Sequence, residues 1–121
     1  MTTTTTTMTK DELNSLAAVH VMGWEKATDA YGEDGFLTPD TPRDFMYHFT
    51  PTTDANDALR VIASMRLNGF EYEGSSEGSK HYFEFYATED AAVARAGAHR
   101  DALMTTAIVM AALKAMGVAI A

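Results

Sequence analysis

Four histidines, His20, His48, His81 and His99, are the side chains best suited to metal or proton chemistry, and no two of them stand three or four residues apart. A helical metal pair needs that spacing, because only then do two imidazoles share one face. His20 falls on the apolar stripe of a helix, where a hydrogen-bonded, half-buried histidine is expected rather than a ligand. A metal-dependent enzyme would need His48, His81 and carboxylates to gather only on folding. The chain has no cysteine, which removes thiol nucleophiles, disulfides and zinc sites built on sulfur. It also lacks a Gly-Lys-Ser/Thr phosphate loop, a Gly-x-Gly-x-x-Gly turn after a strand and a Gly-x-Ser-x-Gly elbow. No cofactor and no catalytic residue is therefore expected.

Other residues suit binding better than reaction. Glu71, Glu73 and Glu84 share one face if the two strands that carry them pair as a hairpin. Paired carboxylates can do acid–base work, but a solvated strand face has the same pattern. Tyr82 and Tyr86 fall on that face with Glu84, and tyrosine brings contact area at low entropy cost. This makes an acidic, aromatic surface for a partner, unless the last helix covers it. A second candidate is a pocket for a small, nucleotide-like anion, with Arg60 and Arg66 near Tyr72 or Trp24. Ordinary solvated helix charges explain the arginines equally well. Met22, Met65, Met104, Met110 and Met116 lie in helical segments and read as core filler.

The elements that must position these residues fit within 121 residues, the length of one domain, and a hydrophobic content of 46% supports a single core. The net charge of −8 opposes the lysine–phosphate contacts that drive nucleic-acid binding, so no nucleic-acid partner is expected. It suits solubility or a basic partner. No stretch reaches the ~20 apolar residues of a membrane span. The closest, residues 102–121, contains Thr105, Thr106 and Lys114 and reads as a buried terminal helix. No basic region precedes an apolar stretch at the start, so a secretory signal is not expected.

Residues 1–8 are threonine-rich and read as a disordered tail; a single domain spans 9–121. Thr9-Lys10-Asp11-Glu12 is a capping box, followed by Leu13, Leu16, Ala17, His20 and Trp24 on one helical face and Gly23 as its stop. A strand over 26–31, a turn over 32–35 and a returning strand over 36–38 come next. Pro39, Pro42 and Pro51 then break regular structure, with Phe45, Met46, Tyr47 and Phe49 pinned to the body. The second helix is capped by Thr53 or Thr52, carries a stripe of Ala55, Ala58, Leu59, Ile62 and Met65 or Arg66, and stops at Asn68-Gly69. Phe70 to Glu73 alternates as a strand, 74–80 forms a loose loop, and 81–86 returns. Residues 89–99 are a helix or a short edge segment around Gly97, and a final helix covers 100–116. The order α-β-β-α-β-β-α predicts an α+β fold: a small antiparallel sheet of about four strands packed with three helices.

Three segments resemble the phage ABA-sandwich domain family, small proteins of bacteriophages and prophages. They are Ala18-Val19-His20-Val21-Met22-Gly23-Trp24; Phe49-Thr50-Pro51-Thr52-Thr53-Asp54 followed by Ala58, Val61, Met65 and Gly69; and the alanine-rich run from Ala107 to Ala115. The family commonly carries more strand tryptophans, whereas Trp24 is the only one here. The resemblance implies an α/β sandwich working in the cytoplasm of the host bacterium. It supplies no catalytic residues to carry over. The expected role is a non-enzymatic accessory protein that binds a host protein, such as a defence component. Sequestration of a nucleotide-like small molecule is the alternative. The apolar closing helix also leaves room for a homodimer.

Overall fold

The computed structural model describes residues 8–39, 45–87 and 96–120. Residues 1–7 of the expected tail, and 89–95 of the segment read as helix or edge, lie outside the described residues. Met8 is half-buried against the core.

Helix α1, Lys10–Leu16, opens with the expected capping box: Glu12 N donates to Thr9 Oγ1 (3.2 Å) and Thr9 N to Glu12 Oε1 (3.2 Å). Over Ala17–Val21 the helix widens to a π turn, in which Met22 N reaches back to Ala17 O (3.0 Å). Ala17, Ala18 and Val21 continue the buried stripe of Leu13 and Asn14, while His20 falls at its margin and is exposed, contrary to its expected half-buried place. Gly23, at φ +71°, ends the helix as its position predicts.

Strands β1 (Glu25–Thr28), β2 (Asp34–Leu37) and β3 (Phe45–Met46) form one antiparallel sheet in that order. The first strand ends earlier than expected because the Asp29 carboxylate takes the amides of Tyr31 (2.8 Å) and Glu33 (2.9 Å) into a turn. Trp24 and Phe49 (ring centroids 4.7 Å apart) and Phe36 (6.4 Å from Trp24) tie this sheet to the core.

Helix α2, Ala55–Leu67, is capped by Asp54, whose Oδ1 accepts from Asp57 N (3.1 Å), and not by Thr52 or Thr53. Thr52 is fully buried and held by its backbone, its hydroxyl meeting no partner among the described residues. Its amide donates to Asn14 Oδ1, and its carbonyl accepts the hydroxyls of Thr105 (2.6 Å) and Thr106 (2.9 Å). The inward stripe of α2 is Ala58, Val61, Ile62 and Met65; Ala55 and Leu59 are exposed. Ser64 Oγ donates to Val21 O (2.8 Å), tying the end of the helix to the π turn.

The second sheet has the order β4 (Phe70–Glu77), β5 (Lys80–Ala87), β6 (Ala96–Asp101), all antiparallel. The expected loose loop is instead strand, closed by the two-residue turn Gly78-Ser79 with Gly78 at φ +62°. Gly74 is a strand residue whose missing side chain leaves space for the Phe83 ring opposite. Helix α3, Met104–Ala115, starts later than expected because Arg100 and Asp101 belong to β6. It is buried on nearly every side, from Thr106 to Leu113 and at Ala115, as expected for a helix apolar all round. That burial lies within one chain, so the apolar closing helix does not itself ask for a second copy.

The class is α+β as expected. Among the described residues six strands in two three-stranded sheets stand where one sheet of about four strands was expected, because each anticipated hairpin gains a third strand. Among the described residues no helix is long and apolar enough to cross a membrane.

Candidate functional site

The second sheet has one face packed and one face open. The period of two decides which side chains go where. On β5, Phe83 and Phe85 point inward and are 5% and 0% exposed. Against them lies α3, close enough at Gly97 that a Cβ there would run into the backbone of Ala111 and Ala115. The outer face therefore carries Glu71 and Glu73 from β4, Tyr82, Glu84 and Tyr86 from β5, and Arg100 from β6. The register sets Glu71 opposite Tyr86, Glu73 opposite Glu84, and Tyr82 between Ser75 and Arg100. No described element packs over this face.

Glu73 and Glu84 are like charges placed directly across from one another, an arrangement that costs stability. Their field is felt beside them. The Tyr82 phenol is pushed above its ordinary range, first by partial burial, then by the charge of Glu84 and its hydrogen bond to that carboxylate, then by Glu73. Arg100 sits over the Tyr82 ring, its Cζ 5.8 Å from the centroid, so the face already holds one guanidinium of its own chain. At the rim, Arg66 Nε meets Glu71 Oε1 at 3.1 Å; both side chains are well exposed, so the pair adds little stability.

Of the residues singled out from the sequence, Tyr82, Glu84 and Tyr86 share the outer face. Tyr72 lies on the opposite face, stacked on Phe83 (centroids 5.5 Å, planes 12° apart) and 42% exposed. Trp24 is 8% exposed inside the aromatic cluster with Phe49, where it serves the core and has no room to hold a ligand. Arg60 and Arg66 do not converge: at about 100° per residue, their separation leaves them well apart around the helix. Arg66 is taken by Glu71, beside a shallow hollow lined by Ala63 and Leu67. The expected anion pocket of Arg60, Arg66, Tyr72 and Trp24 is thus not assembled.

One cluster was missed. Lys114 Nζ lies 3.0 Å from His99 Nδ1 and donates to Ala98 O (3.3 Å), while His99 Nε2 faces Asp101 Oδ2 at 3.6 Å. An ammonium can only donate, so His99 Nδ1 accepts and the ring is neutral with its proton toward Asp101. Burial and the Lys114 charge hold its pKa below the ordinary imidazole range, against the opposing pull of Asp101. Asp101 also borders an apolar cavity of ≈ 200 Å³ with Met8, Leu13 and Met110. The available signals were the alternation His99-x-Asp101 and a lone lysine in an apolar helix. His81 turns instead to Ser76 (2.6 Å), and His48 is exposed. Among the described residues, no three histidine or carboxylate side chains gather where they could hold a metal ion.

No family model matches the chain, and neither the curated proteins nor the solved structures contain a match.

Proposed function

We propose that the chain is a non-enzymatic binding protein whose outer sheet face meets a basic surface on a partner protein. The observation that carries this reading is the Glu73–Glu84 pair, two like charges held opposite one another between tyrosines with no described element over them. Folding alone gives no reason to keep such a pair; a cation from a partner would relieve it and gain the ring of Tyr86, Arg100 already standing over that of Tyr82. The likeness of three segments to phage ABA-sandwich proteins supports a setting in the cytoplasm of an infected bacterium, with a host protein, such as a defence component, as the target. An acidic binder there would occupy a basic nucleic-acid channel.

The test compares the protein with its Glu84→Lys variant, each immobilised and exposed to the same host extract. A protein retained by the first and lost by the second supports the reading, and its association should slow as salt is raised. Equal retention by both would remove the outer face from the function.

A further inference from the structure

Strand β4 is an edge: it pairs with β5 and with nothing else among the described residues. It is eight residues long, and every residue from Tyr72 to Glu77 is exposed. The other edge, β6, differs sharply, because α3 lies against it and Lys114 bonds to its Ala98 carbonyl. Along β4 about half of the backbone N–H and C=O groups point away from β5, a ready template for a further strand.

The side chains decide which strand could join. Glu71, Glu73 and Glu77 lie on one face, two and four residues apart. Suppose a second copy paired antiparallel through β4 with the faces of the two sheets kept aligned. Any register centred from Glu71 to Ser75 then sets one glutamate directly opposite another. Like charges in that position repel, so the strand is guarded against itself. The same glutamates attract an extended segment with lysine or arginine at alternate positions. On the other face, β-branched residues opposite Tyr72 and Gly74 would find the half-exposed ring of Tyr72, which is stacked on the buried Phe83.

We infer that β4 takes up a basic, extended segment of a partner protein as a fourth, antiparallel strand. The pattern it fits is basic-x-x-x-basic-x-basic, read from Glu77 back to Glu71. This inference rests on the outer-face reading above but adds a backbone requirement that a purely ionic contact lacks.

A synthetic peptide, Lys-Thr-Thr-Val-Lys-Val-Lys, tests it against the full chain by amide hydrogen exchange and titration. The expected result is slowed exchange at alternate amides of residues 70–77 and binding that weakens at high salt. Two further peptides carry N-methyl groups on every second amide, one set in each phase. Strand addition uses only the amides that face β4, so one methylated peptide should bind roughly tenfold or more weakly and the other nearly as well as the parent. If both methylated peptides bind like the parent, β4 is not extended, although Glu84→Lys can still abolish partner retention and leave the outer-face reading standing. Unchanged exchange along β4 at saturating peptide also overturns the inference. So does sedimentation showing a dimer that the peptide disperses, because β4 would then belong to a second copy.

Discussion

Along β5 the side chains alternate between two environments: Phe83 and Phe85 lie under α3, while Tyr82, Glu84 and Tyr86 lie on the side no described element covers. The centre of the inner face answers to packing. Gly97 is small because α3 backbone touches it, and Gly74 is small because the Phe83 ring lies there. The outer face shows no such economy, since two glutamates oppose each other with nothing to gain from the fold. Where one side of a strand is optimised and the other is frustrated, the frustrated side is the better candidate for function.

The contrast is broken most severely by truncating each face in turn. Phe85→Ala removes a fully buried ring and should cost about 3–5 kcal/mol in urea unfolding. Tyr86→Ala, one residue on but facing out, should cost about 1 kcal/mol or less while weakening partner retention. Similar costs for the two variants would mean that the outer face is covered after all.

A smaller effect separates the packed end of β6 from the open face. The folded chain holds His99 neutral, facing Lys114 on α3 and Asp101 on its own strand, with His81 of β5 paired beside Asp101. The unfolded chain binds a proton at His99 near the ordinary value of about 6.5, whereas the folded chain binds it only at lower pH. Between those points the unfolded state carries more protons, so stability falls as pH falls. The slope from this one group cannot exceed about 1.4 kcal/mol per pH unit. His99→Gln should flatten the decline that begins below pH about 6.5. An identical pH profile in the variant would show that the Lys114–His99 contact does not govern it.

These two kinds of feature were unequally legible before folding. The capping box at Thr9 and Glu12, the Asn68-Gly69 stop and the alternation through β5 act over a few residues, and each stands where its spacing placed it. So does the shared face of Glu71, Glu73 and Glu84, which needs only a period of two and a hairpin. What escaped depends on contacts between distant segments. The π turn at Ala17–Val21 shows in hydrogen bonds, not in spacing. Gly74 signals a loop locally and becomes a strand residue only because Phe83 lies across from it. Lys114 finds His99 through the seating of α3 on β6, which no local pattern announces.

The sharpest form of the comparison has the smallest effect on stability. Glu73→Gln leaves the shape of the outer face almost unchanged and removes one of two opposed charges. If the pair is a burden on the fold, the variant should be more stable by about 0.2–1 kcal/mol at low ionic strength, and the gain should shrink as salt screens the pair. The same change should weaken a basic partner, because the charge that costs the monomer is the charge that the partner neutralises. A variant that gains stability and loses binding has separated folding from function at one position. A variant that is no more stable than the parent would show that the carboxylates relax apart at no cost, and the argument from frustration on this face would fail.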